Sequence, residues 1–289
     1  MIVVIGHNNP DIDSIASSIG LSYLLNQKGK EAESFIGKGN VSKEAIKLLK
    51  YLNIELPQRW NNKLIHNPTV IVDFNTKEQA AGDFQKVVKI VDHHPETAST
   101  FKVTDKNIAK IGSTSTLIAI DCLSDLDEID NQIMILLLAG IISDTKGFAS
   151  SETTEIDKQI ANILATKTSV NIIELQDLIE EWSCFEWSEN LIDDYMKEGI
   201  KIINIKDKQF VSSVIFTKNS KDFFKNDDFI INHLKELEED SIRMLIVVDI
   251  EEKKTILFHN ATIRLENPYI IDGISSRKRE IKDLVMKSI

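Results

Sequence analysis

Short apolar runs alternate with stretches of helical spacing through the first two-thirds of the chain. Apolar runs at residues 2–5, 33–36, 69–72 and 87–91 predict strands. The spacing between and after them predicts helices over about 12–26, 42–52, 113–122, 131–142, 155–165 and 189–200. That alternation is the pattern of a parallel sheet covered by helices. The last third changes character. Strands are expected at 201–205, 210–216, 242–250 and 255–259, with a helix at about 228–238 and another toward residue 287. Residues 206–207 and 251–254 have the composition of hairpin turns. The fold class is therefore α/β. It has an N-terminal, mostly parallel sheet flanked by helices over residues 1–187, and a smaller C-terminal α/β domain with a mixed sheet over 188–289. No linker rich in glycine, serine or proline marks the boundary, so the helix that follows it is the expected connector.

The charge balance changes the picture by exclusion. Forty-five acidic against 34 basic residues give a net charge of -11. That argues against non-specific nucleic-acid binding, which needs a basic surface to release counterions. It leaves room for a local cationic pocket or for carboxylates neutralised by bound metal. Two cysteines, Cys122 and Cys184, support neither a disulfide framework nor a zinc knuckle and fit a reducing cytoplasm. The chain starts directly on a strand-like run, with no secretory leader pattern. Its strongest apolar run, 133–142, is too short to span a bilayer. A soluble, cytoplasmic protein with no membrane or nucleic-acid partner is the expectation.

Four short segments carry candidate chemistry, three of them at the C-terminal end of an expected strand, where open parallel sheets bind ligands. The first is Gly6-His7-Asn8-Asn9-Pro10-Asp11-Ile12-Asp13-Ser14. One imidazole and two carboxylates within seven residues suit manganese, cobalt or magnesium better than a sulfur-preferring ion. Asp11 or Asp13 would equally serve as a helix N-cap. The second is Asp73, closing the run at 69–72; the third is Asp92-His93-His94-Pro95. Two adjacent histidines at a strand end are an uncommon placement, although a surface turn would also accommodate them. The fourth is Ser143-Asp144-Thr145, just after the apolar helix. A carboxylate there faces the negative pole of the helix and calls for a cation.

Taken together and in order, GHNNPDIDSI, IVD, VDHH and ISDT resemble the motifs of the DHH phosphoesterase superfamily, and within it the manganese-dependent, family II inorganic pyrophosphatases. Gly112-Ser113-Thr114 at a helix start, Gln79-Ala80-Ala81, and Thr153-Thr154 followed by Asp157-Lys158 add to the likeness. Ser276-Arg277-Lys278-Arg279 is similar to the Ser-Arg-Lys-Lys signature of the pyrophosphatase branch, and Lys208 matches a second lysine of that branch. The chain departs from the family pattern at Phe74, where histidine is usual, and at Glu280, where glutamine is usual.

The resemblance implies hydrolysis of inorganic pyrophosphate to two phosphates, in a cleft between the domains, by a hydroxide bridging two metal ions. His7 and Asp11 would hold one ion, Asp13, His93 and Asp144 the other, and Asp73 both. His94, Lys208, Arg277 and Lys278 would bind substrate, with Asp73, His94 and Lys208 the catalytic set. The implied cofactors are two divalent cations, manganese first with cobalt or magnesium as alternatives, plus a further magnesium arriving with substrate. A homodimer is also implied. Two other readings stay open: an exopolyphosphatase or nucleotide phosphoesterase of the same superfamily, and a non-catalytic metal- or nucleotide-sensing module. His66, His233, His259 and the three tryptophans match no motif and are expected to be structural.

Overall fold

A computed structural model describes residues 1–289 apart from 199, 206–207, 238–240, 261–262, 274–280 and 289, and gives backbone alone for 201–205, 208 and 282. The chain divides into two compact units, Met1–Trp182 and Ser183–Ile289.

The first unit is built on β1 (Ile2–Ile5), β2 (Ala32–Ile36), β3 (Gln58–Arg59), β4 (Thr69–Val72), β5 (Val87–Asp92) and β6 (Asp105–Ile108). They form one sheet in the order β3-β2-β1-β4-β5-β6, parallel throughout. The chain runs outward from β1 to β3, returns to the other side of β1 as β4, and then runs outward again. The gap beyond β1 and β4 is therefore the topological switch point.

The reversal also decides what covers each face, because parallel crossovers are right-handed. Two helices, α1 (Ile12–Gln27) and α2 (Lys43–Tyr51), lie on one side, joined there by α3 (Thr114–Cys122), α4 (Asn131–Thr145), α5 (Glu155–Thr168) and α6 (Ile172–Ser183). The connections 73–86 and 93–104, running the other way, roof the opposite face. There Phe74, Ala81, Phe84, Phe101 and Val103 pack on Val3, Ile5, Ile71 and Ile90. Phe74 meets Phe101 edge-on at 6.4 Å, and Trp60 meets Phe84 edge-on at 5.5 Å. The expectation of helices flanking the sheet thus holds for one face, and aromatic loops cover the other. Buried on both faces, the central strands read as unbroken apolar runs.

Helix α4 is apolar almost all round because α1, α3 and α5 surround it; Leu136, Leu137, Leu138 and Ile141 are fully buried. It runs to Thr145, further than the expected end at 142, and closes on Lys146 in the left-handed conformation.

In the second unit, α7 (Ile192–Tyr195) follows a 3₁₀ turn at Glu189–Leu191, in place of the longer helix expected over 189–200. The Tyr195 hydroxyl donates to Glu186 O at 2.5 Å and accepts from Ser188 N at 2.8 Å, tying the chain back on itself. Glu198 O then accepts from Val214 N, so the backbone has already turned toward the sheet. Trp187 packs edge-on against Phe223 at 5.3 Å, which places the segment before α7 with the second core.

Five strands, β7 (Lys201–Ile205), β8 (Lys208–Thr217), β9 (Ser241–Asp249), β10 (Lys254–His259) and β11 (Tyr269–Asp272), pair in the order β11-β10-β9-β8-β7. Only β8 and β9 are parallel, joined through α8 (Ser220–Lys225) and α9 (Asp227–Glu236), so the sheet is mixed. Ile215, Leu245, Val247 and Phe258 face α7 to α9, whereas Met244, Ile246 and Val248 face the segment around Ile281 and Val285 leading into and along α10 (Lys282–Ser288).

Phe223 has no exposed surface and sits among Trp187 and Tyr195. Phe223→Ala is expected to lower unfolding free energy by about 3–5 kcal/mol, measured by denaturant titration; a loss well under 1 kcal/mol would mean that this aromatic cluster is loosely packed.

Candidate metal centre

Three parallel strands end at the switch point, and the residue that follows or closes each carries chemistry. His7 lies just beyond β1, Asp73 follows β4, and Asp92, His93 and His94 stand at the end of β5. Asp11 is the N-cap of α1: its Oδ1 accepts from Ser14 N at 3.0 Å. Its Oδ2 remains free to face His7 Nε2 at 3.6 Å. Capping and site membership are thus shared between the two oxygens of one carboxylate. Asp13 sits in the first turn of α1, fully buried. Asp144 lies in the last turn of α4, where the sequence suggested the loop beyond it. The helix continues because its terminal carbonyls are satisfied by the Lys146 and Gly147 amides in a left-handed cap.

Asp73 is the centre of the arrangement. Its Oδ2 faces His7 Nε2 at 3.4 Å and its Oδ1 faces His93 Nε2 at 3.5 Å. His93 Nε2 also lies 3.4 Å from Asp144 Oδ2. The backbone of Asp73 is left-handed, φ 63°, a conformation that aspartate tolerates better than most residues. Ligand-type atoms of His7, Asp11 and Asp73 lie within 4.8 Å of one another, as do those of Asp13, Asp73, His93 and Asp144. All six expected metal-site residues are therefore brought together, in two groups sharing Asp73.

The electrostatics of this cluster are strained. Burial, reinforced by the neighbouring Asp13 and Asp11 carboxylates, raises the Asp73 carboxyl well above the usual range, even though His7 opposes the shift. Burial and then Asp13, Asp11 and Asp73 do the same to Asp144. Burial pulls His7 down, but Asp11 and Asp73 outweigh it and hold the imidazole well above its usual value. Burial would lift Asp11, and His7 reverses that. Two like charges about 4 Å apart repel by about 4 kcal/mol at an effective dielectric of about 20. A compact cation removes that repulsion.

The donor set fits divalent cations on a second count. His93 Nε2 is buried and has no hydrogen-bond partner. Its other nitrogen, Nδ1, is 3.2 Å from Ile111 O, which as an acceptor fixes the proton on Nδ1 and leaves the Nε2 lone pair pointing at Asp73 and Asp144. Mixed imidazole and carboxylate ligands suit manganese, cobalt or magnesium.

The surrounding groups hold the ligands in place. Both Asp13 oxygens accept backbone N–H groups at the start of α3: Thr114 N at 2.7 Å and Ser115 N at 2.8 Å. Those amides lie at the positive pole of α3. Thr114 Oγ1 donates to Asp73 Oδ1 at 3.0 Å. A Cβ at Gly140 would stand 2.1 Å from Ser115 Oγ, so glycine is required where α4 passes the Asp13 carboxylate.

His94 is oriented from behind. Fully buried Asp92 accepts from His94 N at 3.1 Å and stands 2.9 Å from His94 Nδ1, while Asn75 Nδ2 donates to its other oxygen at 2.6 Å. The hydrogen bond to Asp92, against a smaller opposing effect of burial, raises the His94 imidazole. Nδ1 therefore carries a proton, and Nε2 belongs to the partly exposed side of the ring. Asp92 and Asn75 are site residues that sequence reasoning left without a role. The available signal was a carboxylate ending an apolar strand beside two histidines, and an amide two residues past Asp73.

Of the expected substrate-binding residues, Arg277 and Lys278, with Ser276, Arg279 and Glu280, lie outside the described residues. Lys208 is described as the first backbone residue of β8. Phe74 faces the aromatic roof and is wholly buried, so its side chain belongs to the core beneath the centre.

Residues 1–141 match the profile of the DHH family, N-terminal domain. Over those residues the chain is similar to the DHH family. Among curated relatives, a chain of Streptococcus thermophilus named "Probable manganese-dependent inorganic pyrophosphatase" is 33% identical over 181 residues, 60% of this chain and 57% of its own. The chain thus matches little more than half the length of such relatives. The manganese-dependent inorganic pyrophosphatase of Methanocaldococcus jannaschii is 26% identical over 311 residues, 96% of each chain. A crystal structure from Methanococcus jannaschii, assigned provisionally to the family II inorganic pyrophosphatases, superposes with a TM-score of 0.75 at 23% identity, covering 99% of both chains. That likeness establishes the fold.

Asp92→Asn is expected to release the His94 proton from Nδ1. Imidazole ¹⁵N shifts of the metal-free protein should then report two tautomers in exchange, and an unchanged spectrum would mean that Asp92 does not set the ring.

Proposed function

We propose that this protein is a metal-dependent phosphoanhydride hydrolase that converts inorganic pyrophosphate and water to two phosphates. The observation that carries the proposal is Asp73, one buried carboxylate presenting an oxygen to each of two imidazole–carboxylate groups. The names of the curated relatives support the substrate.

His7 and Asp11 hold one divalent cation, Asp13, His93 and Asp144 hold the second, and Asp73 joins both. Manganese is the first candidate, as the relatives' names suggest, with cobalt or magnesium as alternatives and a further magnesium arriving with substrate. When bound, such a pair would supply an acidified water and withdraw charge from phosphate oxygens. The chain's own part is to fix the geometry. The Asp13–α3 amide contacts and the Ile111–His93 contact leave the ligands little freedom, so little reorganisation is needed at the moment of reaction. His94, held through Nδ1 by Asp92, has Nε2 available to donate a hydrogen bond to a phosphate oxygen as negative charge gathers there.

Lys208, Arg277 and Lys278 complete the reading as the cations of the second domain (188–289) that grip the distal phosphate, arginine through its planar fork and lysine as point charge. This rests on their likeness to the pyrophosphatase signature. A site shared between domains 1–187 and 188–289, a homodimer and a cytoplasmic location belong to the same proposal. Among the described residues no helix is long and apolar enough to cross a membrane.

The deciding experiment is phosphate release from pyrophosphate, long-chain polyphosphate and short oligonucleotides, each with manganese, cobalt, magnesium or zinc. Pyrophosphate with manganese should be fastest; faster release from polyphosphate would move the protein to another branch of the family. Asp73→Ala should abolish turnover and reduce manganese uptake at both positions together, and a variant that retains full activity would remove the shared-ligand assignment. Lys278→Ala should raise KM for pyrophosphate while leaving manganese uptake unchanged; equal loss of both would place Lys278 in the metal centre instead.

A further inference from the structure

Asp157 is fully buried on α5 and is absent from the ligand groups around Asp73. Burying a carboxylate is costly unless its lone pairs are filled, and here they are. Its Oδ2 accepts from Thr154 N at 2.7 Å while Asp157 N donates to Thr154 Oγ1 at 3.4 Å, the capping box of α5, and Thr154 Oγ1 also donates to Oδ2 at 2.7 Å. The same oxygen accepts from Gly112 N at 2.9 Å, 45 residues earlier in the chain. Its Oδ1 accepts from Thr116 Oγ1 at 2.6 Å. A capping residue needs no bonds beyond those it shares with Thr154. The other two reach across to the start of α3.

The segment that Asp157 grips touches the metal centre at four points. Ile111 O is 3.2 Å from His93 Nδ1, Thr114 N and Ser115 N donate to Asp13, and Thr114 Oγ1 donates to Asp73. Gly112 stands directly between. A Cβ there would lie 2.7 Å from both Asp157 Oδ2 and Thr145 Cγ2, so the turn is packed between the carboxylate and the neighbour of Asp144. Ser113 caps α3 by accepting from Thr116 N, and its Oγ lies 3.0 Å from Thr116 Oγ1, itself bound to Asp157.

We infer that Asp157 is a positioning residue for the half of the centre formed by Asp13, His93 and Asp144, acting by clamping the 111–116 turn. It holds the N–H pair that grips Asp13 and the carbonyl that sets the tautomer of His93. The inference rests on the two-cation reading above, but its consequence for the His93 ring exists without metal. Groups that orient metal ligands typically alter metal affinity about 10–100-fold when removed.

The test uses the full-length chain and manganese alone as the probe. Asp157→Asn keeps the shape and removes the charge; Thr116→Val removes only the bond to Oδ1 and covers the case in which the first variant fails to fold. Leu164→Ala loosens the same helix without touching the carboxylate. Manganese titration should show one of two sites weakened about 10–100-fold in Asp157→Asn and less in Thr116→Val, with both sites kept in Leu164→Ala. In the metal-free proteins, ¹⁵N shifts should show the His93 proton fixed on Nδ1 in the wild type and shared between tautomers in Asp157→Asn or, if that variant does not fold, Thr116→Val. Unchanged manganese affinity in the folded variants, or equal weakening in Leu164→Ala, overturns the inference. A wild-type chain that takes up no manganese overturns the functional reading instead, and the His93 shifts then decide the role of Asp157.

Discussion

A carboxylate placed between two imidazoles, Asp73 between His7 and His93, requires three strand ends to be held in fixed register. The pairing of β4 with β1 and β5 provides it, and Asp73 N itself donates to Val91 O beyond the last paired residue of β4. A sheet of this kind twists but does not slip, because a shift by one residue would exchange its helix-covered and aromatic faces. The rigidity matters because the cluster repels itself. Asp73 and Asp144 are held well above the usual carboxylate range by burial and by the neighbouring Asp13 and Asp11 carboxylates. The fold keeps together groups that would separate in a softer framework.

The molecule answers this repulsion partly with backbone dipoles. Asp13, the deepest carboxylate of the set, is gripped by two amides at the positive end of α3, and Asp11 accepts an amide at the start of its own helix. Asp144 has no such help, since it lies at the negative end of α4, and the groups it faces are His93 and other carboxylates. The centre is therefore uneven, with its least compensated charge at the α4 end.

Much of the fold could be read from the chain. The four apolar runs of the first unit are all strands, and the ends of three of them mark the site, because the apolar stretch that a buried strand requires stops where its polar site residues begin. What escaped detection had weaker local signals. Strand β6, Asp-Lys-Asn-Ile, is polar at three of four positions because it lies at an edge. Helix α6 is amphipathic but borders the division between the units, and α7 is cut short by the bonds of Tyr195, a tertiary constraint that helical spacing does not register. At the site, the six candidate ligands were legible through the order of GHNNPDIDSI, IVD, VDHH and ISDT and their resemblance to a known family, since no one of these segments decides the matter alone. Asp92, Asn75 and the contacts of Asp157 were not, because a buried polar side chain acquires its meaning from partners distant in sequence.

The parallel sheet has one more consequence, for the order of events in synthesis. His7 meets its counterpart His93 only after β5 is made, and the centre lacks Asp144 until α4 is complete. A chain emerging from its N-terminus carries His7, Asp11 and Asp13 for well over a hundred residues before the last of the remaining groups, Asp144, exists. Contacts of such long sequence separation form slowly, since loop closure precedes any reward. The nascent first unit is therefore an acidic loop on an unfinished sheet with exposed strand edges, the kind of intermediate that associates wrongly or awaits a chaperone. On the two-cation reading, a bound ion would mark a first unit that has reached its final topology.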